Sequence, residues 1–295
     1  MASLEAPDAA SLLGRPEALR AGLERCGYLL LRGLLDRRAL EPARSAIRTV
    51  LAEEGWLEPT SGCVALAAAP GPREARRLYL RCYVQPAVHE LPHHPRLLEL
   101  MAALLEVERD ALLVHPKPAC RIVLPAALPG ADRPTPAHQD HANLQGCPAT
   151  LTAWIPLVDC PPRLGPLAFA EGSHRGGLRA HRALPGARVL ACEEAPIAGT
   201  FVTASCRVGD VVVFHGLTVH KALANASGQI RLSIDCRYQR AGDPICEAAL
   251  REDPDLPWDE LSRCLGDDRW HRYWEGLPLE VVPFDPGFAR PPEGG

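Results

Sequence analysis

Residues 231–239, RLSIDCRYQ, alternate strictly, with Arg231, Ser233, Asp235 and Arg237 on one parity and Leu232, Ile234 and Cys236 on the other. A period of two marks an extended strand, because successive side chains point to opposite faces of a sheet. One face of this strand therefore packs apolar groups, while the other carries two guanidiniums, a carboxylate and a hydroxyl. Short strand-like runs recur upstream from about residue 112, as RIVL (121–124), TLTAWIPLV (150–158), LAFA (167–170) and DVVVFHG (210–216). Many short strands separated by Pro and Gly predict an all-β barrel or sandwich.

The remainder reads differently. Residues 16–26 carry Leu19 and Leu23 at helical spacing, and Gly27 ends the pattern. GYLLLRGLL (27–35) reads as a short buried strand, and 36–54 as an amphipathic helix capped by Asp36. Residues 55–73 have no clear period and read as a loop or lid. Residues 95–109 form the clearest helix, opened by Pro95. After 241 the chain returns to loop and helix, where Trp258, Trp270, Tyr273 and Trp274 either line a pocket or, the better fit, pack a terminal helix onto the barrel. The expected organisation is one unit, 1–295, with a helical part to about 110, a β core over about 111–240, and a cover over about 241–295.

An apolar fraction of 47% with 23% charged residues allows a sizeable core. The net charge of −4 and the lack of a basic stripe exclude nucleic acid as the main partner. Eleven cysteines, odd in number and without a CxxC pair, argue against a disulfide framework or zinc site and for a reducing compartment. There is no signal-like N-terminus and no apolar run of membrane length. The expectation is a cytoplasmic protein that acts on a small molecule without a membrane partner; the sequence leaves its oligomeric state open.

PTPAHQDHANLQG (134–146) carries the chemistry. On a strand, His138 and Asp140 present a nitrogen and a carboxylate oxygen to one side. HxD alone is a common tripeptide, but here it is followed by His220 and then by Arg231. Two histidines and a carboxylate with open positions form the ligand set of non-haem iron(II) oxygenases. Arg231 suits a bidentate pair with the distal carboxylate of a bound 2-oxo acid, and Ser233 donates a hydroxyl from the same face. Arg121 and Gln145 face the pocket from neighbouring strands, Arg121 toward a carboxylate, that of the bound 2-oxo acid, and Gln145 toward substrate. Asp235 and Arg237 either touch substrate or pair with each other. His141, His174, His89, His93 and His94 read as surface or capping residues.

These segments resemble the phytanoyl-CoA dioxygenase family over roughly residues 15–240, through GYLLLRGLL, HQDHANLQG, TAWIPL, GPLAFAEGSHRGG, GDVVVFHGLTVHKALAN and RLSIDCRYQ. The resemblance implies a double-stranded β-helix, or jelly-roll, core. It also implies His138, Asp140 and His220 as iron(II) ligands and Arg231 as the 2-oxoglutarate anchor, with O2 as co-substrate and ascorbate as the reductant used in vitro. Trp154 stands where the family places a Trp beside the co-substrate; a core Trp fits the same residue. The family's Pro-Gly-Ser-His turn reads Glu171-Gly172-Ser173-His174 here, and nothing in the chain specifies CoA. His220 is the expected third ligand because its gap to Arg231 matches the family, with 221–230 as a hairpin-like link; His215, on the same strand, faces away. Hydroxylation with release of succinate and CO2 is the implied outcome. Desaturation, cyclisation or epimerisation use the same ligands, and a cupin-like metal protein without oxygen chemistry is the rival. The segments 55–80 and beyond 240 are expected to choose the substrate.

Overall fold

The computed structural model describes residues 6–58, 60, 63–187, 189–194 and 201–289. Helix α1 (Pro16–Cys26) buries Leu19, Leu23 and Cys26 and ends at Gly27, whose φ of 81° lets its N–H reach back to the Leu23 carbonyl. The chain then enters β1 (Tyr28–Leu31). Asp36 accepts a hydrogen bond from the Arg38 N–H and opens α2 (Arg37–Glu53). α3 (Pro72–Tyr83), α4 (Pro86–Glu90) and α5 (Pro95–Leu105) follow, the last capped by His94.

Two of these differ from the sequence reading. α3 occupies the end of the stretch read as a lid, where its many arginines obscure a buried stripe of Leu78, Cys82 and Tyr83. α5 stops at Leu105 rather than 109, because Glu106 turns into the left-handed region at φ 54°.

The strands β2 (Leu112–Val114), β3 (Ala119–Val123), β4 (Leu151–Pro156), β5 (Leu167–Ala170), β6 (His181–Arg182), β7 (Ala191–Cys192), β8 (Phe201–Thr203), β9 (Val211–His215), β10 (His220–Ala222) and β11 (Arg231–Arg240) complete the β core. The larger sheet runs β1-β9-β4-β11-β2, with β3 also on β11; the smaller runs β10-β5-β8. Ladders in both are antiparallel. These sheets form the jelly-roll core.

Parity decides what each face does. Leu151, Ala153, Ile155, Val211, Val213, Leu232, Ile234 and Cys236 share one cluster with helix residues such as Leu40, Ile47, Leu97 and Met101. Trp154, Val212 and Phe214, of the opposite parity, meet Phe169 and Val202 of the smaller sheet. Helices thus seal the outer face of the large sheet, and the interior between the sheets is left for polar groups from β4 and β11.

Beyond β11, Trp258 packs with Tyr83 and Leu261, and Tyr273 and Trp274 lie against a cluster containing Leu113 and Ile245. All eleven thiols are free, and only those of Cys63 and Cys264 are exposed. No helix among the described residues is long and apolar enough to cross a membrane.

Gly27 joins the helical layer to the site, since its carbonyl accepts from His215 N–H and from the Thr218 hydroxyl. A Cβ there would lie 2.6 Å from Thr218 Oγ1 and 2.5 Å from His174 Nδ1, whereas one on Gly33, φ 59°, would meet nothing. In urea denaturation Gly33→Ala is expected to cost about 1 kcal/mol, the conformational penalty alone. Gly27→Ala is expected to cost at least twice that; equal losses would show that Gly27 holds no packed joint.

Candidate metal centre

His138 and His220 come together through the backbone. Each N–H donates to the other's carbonyl at 2.9 Å, an isolated antiparallel bridge. Their rings lie with centroids 4.2 Å apart. His138 Nδ1 donates to the Pro136 carbonyl at 2.8 Å and His220 Nδ1 to the Thr218 carbonyl at 3.0 Å. A carbonyl only accepts, so both protons sit on Nδ1 and both Nε2 lone pairs are left to bind a metal.

Asp140 does not lie on a strand with His138, as the HxD spacing suggested. It is the first residue of the short helix α6 (Asp140–Leu144), and the strand-to-helix turn brings its carboxylate back toward the imidazoles. Its Oδ1 stands 3.5 Å from His138 Nε2 and 3.8 Å from His220 Nε2. The three donor atoms lie within 4.8 Å of one another, and all three residues are buried.

Oδ2 of Asp140 is held from the large sheet. The Thr152 hydroxyl donates to it at 2.8 Å, and Arg237 Nε lies 3.7 Å away. Burial opposes ionisation of this carboxyl, but the Arg237 guanidinium outweighs it and holds it well below the usual carboxylate range. Burial, reinforced by His138, lowers His220 to about 4, so it stays neutral and ready to ligate near pH 7. An anionic oxygen and two imidazoles that present Nε2, pre-aimed and dry, fit a divalent transition metal such as iron(II). The intervening Gln139 is also buried, its amide bonded to the Gly177 and Leu217 carbonyls and to Arg179 N–H.

The polar parity of β11 completes the interior. Arg231 is buried, gives one terminal nitrogen to the Gly165 carbonyl at 2.7 Å, and has no ion-pair partner among the described residues; its Nε is unbonded. Burial lowers its pKa from the usual arginine value. Ser233 Oγ accepts from Trp154 Nε1 at 3.0 Å, which leaves the hydroxyl hydrogen free. Trp154 is thus both a core residue and a neighbour of Arg231, whose guanidinium carbon lies 5.9 Å from its ring.

Other candidates are placed differently. Asp235 and Arg237 do not pair with each other; Asp235 binds Arg121 at 2.7 Å and Arg237 faces Asp140. Gln145 is not turned toward substrate: its amide donates to the Asp285 carbonyl and accepts from Asp285 N–H, fastening the C-terminal segment. His215 lies on β9, a strand separate from His220 on β10, with Nδ1 accepting from Leu217 N–H. Residues 221–230 are no hairpin within one sheet, since β10 and β11 belong to the two different sheets. In the Glu171–His174 turn, Ser173 Oγ accepts from Val219 N–H beside His220, a structural task. His89 is buried rather than at the surface, bonded to the Tyr83 carbonyl. Thr152 and Gln139 were not singled out from sequence, although Thr152 shares the inward parity of Trp154 and was readable on that ground.

Fold and centre define an oxygenase with a jelly-roll core and a facial site of two histidines and a carboxylate. The pattern described as Phytanoyl-CoA dioxygenase (PhyH) matches residues 23–233, and the chain belongs to that family. It is 28% identical to 1-deoxypentalenic acid 11-beta-hydroxylase of Streptomyces exfoliatus, and 30% identical to the enzyme of that name from Streptomyces arenae. In each case 87% of this chain and 90% of the relative are covered. Among solved structures it is similar to SnoN, a non-heme alpha ketoglutarate dependent epimerase from nogalamycin biosynthesis. The TM-score is 0.55 at 26% identity, over 78% of this chain and 85% of that one.

Thr152→Val deletes the hydrogen bond that orients Asp140 while keeping shape. It is expected to weaken Fe(II) or Co(II) binding about 10-fold or more, and Thr152→Ser to restore it, as measured by equilibrium dialysis of folded protein. Unchanged metal affinity in the valine variant would remove Thr152 from the centre.

Proposed function

We propose that the chain is an iron(II)- and 2-oxoglutarate-dependent dioxygenase that hydroxylates an unactivated C–H bond of a small molecule. The observation that carries this reading is Arg231, a buried guanidinium with no carboxylate partner among the described residues, on the polar face that also serves the metal centre. A buried charge left uncompensated is costly, and a ligand carboxylate relieves the cost. The names of the two Streptomyces relatives support hydroxylation, and the alpha ketoglutarate dependence of SnoN supports the co-substrate.

His138 Nε2, His220 Nε2 and Asp140 Oδ1 are the atoms that would hold the metal. Arg231 pairs with the distal carboxylate of 2-oxoglutarate through its unbonded edge, and Ser233 donates its free hydroxyl to the same group. Trp154 fixes Ser233 and walls that end. Thr152 and Arg237 keep Asp140 ionised and hold its Oδ2, so that Oδ1 is the oxygen that would meet a metal. When bound, iron with 2-oxoglutarate and oxygen supplies the oxidant for the C–H bond and yields succinate and carbon dioxide. Burial of the ligand atoms keeps bulk water from them.

With iron(II), ascorbate and oxygen, the protein is expected to convert 2-oxoglutarate slowly to succinate even without its substrate. Arg231→Ala is expected to weaken 2-oxoglutarate binding by about 2–5 kcal/mol while leaving metal binding close to wild type. No succinate above a metal-free control across a broad substrate panel would sink the enzyme reading, and unchanged 2-oxoglutarate affinity in the variant would put the anchor elsewhere. The likeness to SnoN favours epimerisation as a second reading; succinate release without oxygen incorporated into product would select it.

A further inference from the structure

A cavity of about 360 Å³ opens beside the metal centre. Pro136 and Ala222, each two residues from a ligand histidine, belong to its wall, so it adjoins the centre without including the ligands. Trp56 with Pro70, Leu78 and Tyr79 supplies one side, and β3 supplies the other through Ile122 and Leu124 beyond its end. This wall is aromatic and aliphatic. Its size is near the lower end of small-molecule pockets, which span about 300–1,000 Å³. It fits a compact hydrocarbon skeleton and cannot enclose a long acyl thioester.

The polar groups on this wall are few. Arg121 gives Nε to Asp235 at 2.7 Å, and its side chain remains 37% exposed on the cavity. Asp235 is itself nine-tenths buried on β11, opposite Ala119 in the β3 register, so the guanidinium is held by its Nε edge, with its terminal nitrogens unclaimed among the described residues. Arg133, exposed, and Asp132 stand on the same wall. Among the described residues of the wall Asp132 and Arg133 are of opposite sign, and Asp235 already neutralises Arg121, which disfavours a dianion such as phosphate. A planar guanidinium with two free terminal nitrogens matches a carboxylate.

We propose that the substrate is a compact, largely hydrocarbon molecule bearing a single carboxylate, which Arg121, braced by Asp235, receives while the skeleton lies against Trp56, Leu78 and Tyr79. This rests on the oxygenase reading above and names the substrate class of that centre. Arg121 is thereby a specificity residue for substrate rather than a second anchor for 2-oxoglutarate.

Binding of adamantane-1-carboxylate, 1-adamantanemethanol and 1-adamantylamine to the metal-loaded protein tests it, followed by tryptophan fluorescence and calorimetry. The acid is expected to bind at least about tenfold tighter than the alcohol, with the amine weakest. Arg121→Gln should bring the acid down to the alcohol's affinity and leave the alcohol unchanged. The double variant Arg121→Gln/Asp235→Asn removes both partners of the pair and should do the same, which guards against a single variant misfolded by an orphaned Asp235. Equal affinity for acid and alcohol in the wild type overturns the proposal. So does an acid preference that survives in both variants, or failure of all three probes to bind at millimolar concentration. Acid binding that never couples to succinate release counts against the oxygenase reading alone, and succinate release on other compounds without an acid preference counts against this proposal alone.

Discussion

The reciprocal backbone bridge between His138 and His220 is the constraint on which the rest of the centre depends. It joins a segment of the 124–150 connection to β10 of the smaller sheet and fixes both imidazoles before any metal arrives. Asp140 is then tied by Thr152 and Arg237 to the larger sheet. The ligand set therefore straddles the two sheets, with nitrogen donors on one side and the oxygen donor anchored to the other. Two rings at 4.2 Å and an ionised carboxylate in a dry site are a poor arrangement by themselves, because their lone pairs face each other. A divalent cation satisfies all three at once, and binding to the folded state alone adds its free energy to stability.

β11 distributes the remaining tasks by parity. Leu232, Ile234 and Cys236 hold the strand against the helical layer, while Arg231, Ser233, Asp235 and Arg237 face inward. Each of these four meets a different partner: Gly165, Trp154, Arg121 and Asp140. Three of them, Arg231, Asp235 and Arg237, keep a buried polar atom without a hydrogen bond. Unsatisfied buried atoms are uncommon, and three on one face of one strand mark where ligands belong. The strand is packed on its outer face and open in its hydrogen bonding on its inner one.

Much of this was legible because it is local. The alternation of 231–239, the Asp36 cap and the Gly27 stop each depend on a few neighbouring residues, and the structure follows them. The grouping of His138, Asp140 and His220 was legible too, since chemistry limits which side chains can hold a metal. What the sequence hid is non-local. Asp140 starts a helix because the turn before it is made by Gln139 bonding to loops near 177 and 217. β10 and β11 part into different sheets because β10 finds Phe169 and its neighbours on β5. Gln145 is consumed by Asp285, 140 residues away. α3 was missed because its arginines hide a narrow apolar stripe.

The central claim is that β10, not the end of β9, provides the third ligand. His215 shares the parity of Val211 and Val213 toward the helical layer, whereas His220 Nε2 stands 3.8 Å from Asp140. The direct measurement is the iron content of reconstituted wild type, His215→Ala and His220→Ala, each checked for folding by circular dichroism. One iron per chain in wild type and His215→Ala, with little in His220→Ala, is the result the geometry predicts. Iron retained in folded His220→Ala and lost from folded His215→Ala would contradict it.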